Sequence, residues 1–273
     1  MPDWLSPGFL AIGGLVLVGL IAVFVFVRMN SDDNGETGEL SVSDSLKEHR
    51  ADLPLDMAKG TKLGSDDAPL KISMFEDFQC PYCLRFSAWR EPDIVADYVK
   101  AGKVQIIFEH YPLLGQESLR AAVASECAAG QDKFWPYQNK LFQVQADAGQ
   151  ASNEKLNVGR FSDAKLREYA ADLGLDVAKY DACMAGSDAL TAVQDDLARA
   201  RSLGLQGTPS FLINGRPLSG SPGSDEEWKR LLDDQLAAVA TAAASASPAT
   251  SPTAGATAAA SSPTAAPTAT RTQ

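Results

Sequence analysis

Two cysteines separated by two residues are the part of this 273-residue sequence best suited to do chemistry. They form the segment Cys80-Pro81-Tyr82-Cys83. The thiolate is the reactive form of cysteine, and two thiols at this spacing can form, break and exchange a disulfide. Structural disulfides and zinc sites also use the spacing. Its meaning therefore depends on the other cysteines and on the elements around it.

A zinc site at this pair would need two more protein ligands. The only other cysteines and histidines in the sequence are Cys127, Cys183, His49 and His110. None of these forms a second closely spaced pair, so the sequence predicts no metal.

Four cysteines allow three pairings. Two thiols two residues apart at a helix start favour each other, which predicts the pairs Cys80–Cys83 and Cys127–Cys183. The second pair is interpreted as a structural disulfide, with a second redox relay as the alternative. A structural bridge over this length would stabilise the fold by a few kcal/mol and would indicate an oxidising compartment.

A strand and a helix must position the cysteine pair. Residues 70–75 are predicted to form a strand that ends shortly before it. A helix follows to about residue 101, with a kink at Pro92, and residues 103–108 form the next strand. Strand, helix and strand in this order make a βαβ unit with parallel strands and a right-handed crossover.

Cys80 would then lie at the start of the helix, where unpaired backbone N–H groups and the helix dipole stabilise a thiolate. Cys83, one turn later, is expected to be more buried and protonated. Pro81 fits the first helical turn, where a missing N–H costs nothing. Tyr82 is expected to tune the stability of the thiolate.

The rest of the folded part begins with a block in which no strand is predicted. Gly207-Thr208-Pro209 then interrupts the chain, and Asn214-Gly215 between two short apolar runs predicts a hairpin. Five helices are predicted in the block and one after the hairpin, over residues 118–129, 132–144, 163–173, 176–184, 190–203 and 225–239.

The two ends of the chain differ from the middle. Residues 8–27 are uncharged and long enough to span a bilayer, so residues 1–28 are predicted to be a transmembrane anchor and residues 29–54 a polar linker. Arg28 weakly favours a cytoplasmic C-terminal side, but large domains translocate largely regardless of charge. Since disulfide chemistry requires an oxidising compartment, the domain is expected outside the membrane. Residues 240–273 are predicted to be a disordered tail, because Ala, Ser, Thr and Pro bury too little apolar surface to order a chain.

The charge of the chain excludes one class of partner. Lys and Arg total 24 against 35 Asp and Glu, which gives a net charge of −11. An acidic surface does not attract a phosphate backbone, so nucleic acid is not expected as a ligand.

Two segments together resemble the DsbA-like proteins of the thioredoxin superfamily. They are the cysteine motif with the two residues before it, Phe78-Gln79, and the segment Gly207-Thr208-Pro209-Ser210-Phe211. The resemblance implies an α/β thioredoxin-like fold over residues 55–239, with a helical insertion at about residues 116–190.

The resemblance also assigns roles to residues. Cys80 would be the nucleophile and Cys83 the resolving thiol. Pro209 would follow a cis peptide bond and lie against the active-site disulfide, with the Thr208 backbone pairing with a substrate strand. Many superfamily members carry a buried acid six residues before the first cysteine, but Met74 stands there. Two acids nearer the pair, Glu76 and Asp77, are read either as substitutes in proton transfer or, with preference, as solvated loop charges.

The resulting hypothesis is an extracytoplasmic thiol–disulfide oxidoreductase that introduces disulfides into exported proteins. No cofactor other than the Cys80–Cys83 disulfide is expected. The implied partners are reduced or unfolded exported proteins and a quinone-linked membrane protein that restores the disulfide. The alternatives are an isomerase or reductase with the same fold, and a chaperone-like binding module.

Overall fold

The structure of the protein, a computed structural model, describes residues 41–246. Within that range one sheet has six strands: β1 (Ala58–Lys59), β2 (Lys62–Leu63), β3 (Leu70–Glu76), β4 (Val104–His110), β5 (Ser210–Ile213) and β6 (Arg216–Pro217). Their order across the sheet is β1-β2-β4-β3-β5-β6. Strands β3 and β4 are parallel, and every other neighbouring pair is antiparallel.

The two parallel strands form the centre of the sheet, where nearly all of their residues are buried on both faces. Ile72 pairs with Ile106 and Met74 with Phe108, and all four side chains are buried. The pairing continues to the last residues of both strands, at Glu76. The cysteine segment therefore starts at the carboxyl edge of the sheet, next to its central strand.

Nine helices surround the sheet in the described range. They are α1 (Val42–Asp52), α2 (Pro81–Trp89), α3 (Glu91–Ile94), α4 (Gln116–Ala129), α5 (Phe134–Asp147), α6 (Asp163–Asp172), α7 (Val177–Ala185), α8 (Asp188–Ser202) and α9 (Asp225–Ala246). Helices α4 to α8 form the block inserted between β4 and β5.

The helix after the cysteine pair is divided where the sequence predicted one kinked helix. Helix α2 ends at Trp89, and Arg90 stays in the right-handed helical region but with φ stretched to −110°. Pro92 then lies in the first turn of α3, and a π-helical turn, Val95–Val99, follows. Proline has no N–H to donate, so a new first turn accommodates it more easily than a continuous helix.

Part of the predicted linker, residues 29–54, is helical. Ser41 caps α1 by accepting a hydrogen bond from the Asp44 N–H at 3.2 Å. Leu46 is fully buried, and its carbonyl accepts from Asn139 of α5 at 3.1 Å. The helix has few apolar residues, which is why its composition suggested a linker, but those residues dock it onto the domain.

The C-terminal helix α9 extends to Ala246, beyond the predicted limit of 239. Alanine, frequent in this stretch, has the highest helix propensity of all residues. The predicted anchor, residues 1–28, and the tail beyond residue 246 lie outside the described residues. Among residues 41–246, no helix combines the length and the apolar character needed to cross a bilayer.

Candidate active site

Cys80 is the residue that joins the sheet edge to helix α2. It has extended backbone geometry and occupies the N-cap of α2, with Pro81 in the first turn. The side chain of Cys80 is 4% exposed, and that of Cys83 is fully buried. Both thiols are free. Both thiols are thus buried, and only Cys80 keeps a small exposed area.

A cis peptide bond joins Thr208 and Pro209 beside the cysteines. The Cys80 thiol donates to the Thr208 carbonyl at 3.3 Å. Pairing of β5 with β3 places the loop there, because Ser210 lies opposite Phe75 in the register. Since proline has no N–H, Thr208 is the nearest residue of this loop that offers backbone hydrogen bonds.

The two thiols differ in acidity. A hydrogen bond from the Cys83 side chain is the main cause that lowers the pKa of Cys80 to about 7. Burial opposes this, while the Thr208 side chain and the backbone N–H groups of Tyr82 and Cys83 add to it. Burial raises the pKa of Cys83 well above its ordinary value, with smaller effects from Cys80 and the charge of Glu76. Of the two thiols, Cys80 is thus the one that is more readily deprotonated.

Glu76 is a buried acid without a hydrogen-bond partner. Glu76 is 1% exposed, and neither of its carboxyl oxygens makes a hydrogen bond within the described part of the chain. Burial, followed by the charges of Glu91 and Cys80, raises the pKa of Glu76 well above its ordinary value. Burial thus favours the protonated form of Glu76, and the charges of Glu76 and of the cysteines act on one another.

Asp77, the next residue, is also 1% exposed but is saturated with donors. Its carboxylate accepts from the N–H groups of Gln79 (2.8 Å), Leu113 (2.7 Å) and Leu114 (2.9 Å), and from the Ser118 hydroxyl (2.6 Å). These bonds lower the pKa of Asp77, although burial outweighs them and the net shift is upward. The interpretation of both acids as solvated loop charges is thus wrong: one is a structural anchor and the other an isolated acid.

Gln79 extends the anchor into the helical block. Its amide nitrogen donates to Ser118 at 2.9 Å and its amide oxygen accepts from the Asn157 N–H at 2.7 Å. Gln150 in turn donates to the Gln79 carbonyl at 2.8 Å. The sequence carried no signal for these roles, because the partners are 35 or more residues away.

Two further ionisable residues were missed as members of the site. Glu91 is fully buried at the start of α3, and His49 of α1 is 4% exposed. Their nearest side-chain atoms, Glu91 Oε1 and His49 Nε2, are 3.8 Å apart. His49 was considered only as a zinc ligand, and nothing in the sequence links it to a residue 42 positions away.

Tyr82 is 64% exposed and forms one wall of a groove beside Cys80. The Arg85 guanidinium lies 5.4 Å from the centre of its ring. The groove has a volume of about 420 Å³ and is lined by Tyr82, Arg85, Phe86, Trp89, Arg90, Thr208, Pro209, Ser221, Pro222 and Gly223. Its walls are thus the cysteine helix, the cis-proline loop and the loop after β6.

The other sequence candidates lie apart from this groove. Cys127 of α4 and Cys183 of α7 form a disulfide with a Cα–Cα distance of 5.7 Å. His110 is fully buried, and its Nε2 lies 2.9 Å from a carboxylate oxygen of Glu126. Within residues 41–246, no group of three or more His, Cys, Asp or Glu is arranged to hold a metal ion.

Comparison with known proteins assigns the chain to a family. A family model described as thioredoxin matches residues 57–234. A probable disulfide bond formation protein D of Bacillus cereus is 32% identical over 177 residues, which cover 64% of this chain and 77% of the relative.

Solved structures agree on the fold. BdbD from Bacillus subtilis, in its oxidised form, superimposes with a TM-score of 0.57 at 24% identity, covering 65% of this chain and 93% of that one. Wolbachia pipientis alpha-DsbA1 gives 0.56 at 22% identity, covering 71% and 98%. The prediction of a thioredoxin-like α/β fold is thereby confirmed. With a helix-capping cysteine pair and relatives named for disulfide bond formation, the chain belongs to the DsbA-like branch of the thioredoxin family and is a thiol–disulfide oxidoreductase.

Proposed function

We propose that the protein is an extracytoplasmic oxidase that transfers its Cys80–Cys83 disulfide to exported proteins. The observation that carries the proposal is the helix-capping Cys80 in a chain 32% identical to a probable disulfide bond formation protein. The pKa of Cys80 is lowered to about 7 and that of Cys83 is raised, so Cys80 is the sulfur that leaves as a thiolate. A thiol that is stable as a thiolate makes a good leaving group, so a disulfide containing it is readily given to a substrate.

The transfer has two steps. A substrate thiolate attacks the Cys80 sulfur, the Cys80–Cys83 bond breaks, and Cys83 takes up a proton. A second substrate thiolate then attacks the substrate sulfur of the mixed disulfide and releases Cys80 as a thiolate. The substrate loses two electrons and gains a disulfide, and the enzyme is left reduced. Re-oxidation by a quinone-linked membrane protein would complete the cycle.

Glu76 supplies the proton that the first step requires. Its pKa and that of Cys83 are both raised by burial, and the charge of Glu76 acts on Cys83. It takes the role that the acid at position 74 has in other members of the superfamily, whereas Met74 itself is fully buried in β3. The groove beside Cys80 fits an extended peptide that pairs with the Thr208 backbone.

The location outside the membrane rests on two features. The Cys127–Cys183 disulfide is of a kind that persists in oxidising compartments. The uncharged residues 8–27 are long enough to anchor the chain in a bilayer.

The reduction potential of the Cys80–Cys83 pair tests the direction of transfer. The full chain is equilibrated with glutathione buffers, and Cys80 is trapped by alkylation. A potential near about −120 mV is expected for an oxidase, whereas one near about −270 mV would assign the protein as a reductant. The reductant is the second candidate, because a pKa of about 7 for the nucleophile is that of thioredoxin.

A Cys80→Ser variant tests the chaperone alternative. The oxidase loses all disulfide transfer to a reduced substrate protein with this change. If the variant still raised the yield of folded substrate as the wild type does, the protein would act as a chaperone through its groove and not through the Cys80 sulfur.

A further inference from the structure

Three buried ionisable residues lie in series from the cysteines towards the surface. They are Glu76 (1% exposed), Glu91 (0%) and His49 (4%). No arginine or lysine is paired with any of them in the described structure. Ionisable groups are rarely buried without a charged partner unless they have a function, because desolvation disfavours their charged forms.

The inner end of the series is at the sulfurs. The charge of Glu76 acts on Cys83, and the charge of Glu91 acts on Glu76. Once Glu76 has given its proton to Cys83, it is a buried carboxylate with no hydrogen-bond donor. Glu76 must regain a proton before the next cycle. Water has little direct access to it, because Glu76 is 1% exposed and Cys83 is fully buried.

The middle of the series is held in a fixed orientation. Ser87 of α2 donates to Glu91 Oε2 at 2.7 Å, and Gln138 donates to the same oxygen at 3.4 Å. The other oxygen, Oε1, has no hydrogen-bond partner and is the atom nearest to His49. His49 Nε2 is likewise unpartnered. The two atoms face each other at 3.8 Å, slightly longer than a hydrogen bond, a distance that a small side-chain movement closes.

The outer end of the series opens to solvent. His49 lines a pocket of about 370 Å³ between α1 and the start of α3, together with Ser45, Glu48, Asp52, Ala88, Trp89, Pro92, Asp93 and Ala96. Histidine is the side chain best suited to exchange protons with water near neutral pH.

We propose that Glu91 and His49 form a proton route between solvent and Glu76, and thus serve Cys83 during disulfide transfer. When the Cys80–Cys83 bond breaks, Cys83 receives a proton from Glu76; Glu76 receives one through Glu91; and His49 replaces it from water in the pocket. In re-oxidation the proton moves outward along the same residues. This inference rests on the proposed function, but it holds for transfer in either direction.

The test measures the rate at which a dithiol peptide reduces the Cys80–Cys83 disulfide in the full chain. A His49→Ala variant is expected to react about tenfold more slowly. Because the substitution opens space beside the pocket, free imidazole in the buffer is expected to restore the rate. The reduction potential is expected to be unchanged, since a proton route alters forward and reverse rates equally. A Glu91→Gln variant, which keeps the shape of the side chain, is expected to be slow and not restored by imidazole.

The matched control is His110→Ala. His110 is the only other histidine of the chain; it is buried beside Glu126, and its backbone pairs with Glu76. It is expected to react at the wild-type rate, with folding of each variant checked by circular dichroism. The proposal is overturned if His49→Ala reacts as fast as wild type, if its slow rate is not restored by imidazole, or if only His110→Ala is slow. If the wild-type protein itself does not react with the peptide, the proposed function fails instead.

Discussion

The two sides of the loop before Cys80 are both buried but are built differently. On the side of the helical block, Asp77 and Gln79 have partners for nearly every polar atom. On the side of the sulfurs, neither carboxyl oxygen of Glu76 has a partner, and one carboxyl oxygen of Glu91 has none. A saturated network fixes the position of the loop, whereas an unsatisfied acid is free to exchange a proton. The adjacent residues Glu76 and Asp77 thus have different roles: Asp77 fixes the position of the loop, and Glu76 is the one suited to proton exchange.

The largest effect on stability is expected from loss of the disulfide in the helical block. The Cys127–Cys183 bridge spans 56 residues and ties α4, which carries Ser118, to α7. A double Cys127→Ala/Cys183→Ala variant is expected to lose about 4 kcal/mol of unfolding free energy, measured by urea denaturation. It is expected to retain disulfide transfer at temperatures where it is folded. Loss of transfer in a folded variant would instead indicate a second redox relay.

Replacement of Asp77 tests the saturated network directly. Asp77→Ala leaves three backbone N–H groups and one hydroxyl without their acceptor. The unfolding free energy is expected to fall by about 3 kcal/mol, since each unsatisfied buried donor costs about 1–3 kcal/mol and some regain water. Asp77→Asn, which keeps one acceptor oxygen, is the control and is expected to lose less. Equal stability of the alanine variant and wild type would mean that the network does not hold the loop.

Replacement of Glu76 tests the opposite side, through pH. The pKa of Glu76 is raised in the folded protein, so above pH 4.5 the folded state keeps a proton that the unfolded state has lost. This contribution to stability is full below the unfolded pKa and is lost as pH rises towards the folded pKa, with a slope of up to about 1.4 kcal/mol per pH unit. Glu76→Gln is expected to lack that slope and to transfer disulfides more slowly. Parallel stability curves for the two proteins would contradict the assignment.

The smallest expected effect is a shift in the pH at which Cys80 becomes reactive. Cys80 is expected to react with iodoacetamide with a midpoint near pH 7. In Cys83→Ala the midpoint is expected to move to higher pH, because the hydrogen bond from Cys83 is the main cause that lowers the pKa of Cys80. A Tyr82→Phe variant serves as the control, since only the Tyr82 backbone acts on Cys80. An unmoved midpoint in Cys83→Ala would assign the acidity to the helix start alone.

The sequence predicted the reactive cysteines and the fold around them better than it predicted the buried polar residues that support the cysteines. The cysteine spacing, the preceding strand and the Thr208-Pro209 segment predicted a helix-capping thiol in a thioredoxin-like fold, because these signals are local. The difference between Glu76 and Asp77 was not predictable in this way. It depends on which side of the loop faces the helical block, and three of the four donors to Asp77 come from 36 to 41 residues further along the chain. The role of His49 was hidden for the same reason.

If the chain is anchored as proposed, helix α1 also limits how far the catalytic domain can lie from the membrane. With residues 29–54 as a free linker, the domain could range up to about 90 Å from the end of the proposed anchor, at about 3.5 Å per residue. Because α1 packs on α2 and α5, residues 42–52 add nothing to the length of such a linker, and its greatest reach falls to about 45 Å. A shorter linker would raise the local concentration of the active site near the bilayer, where a membrane partner would bind it.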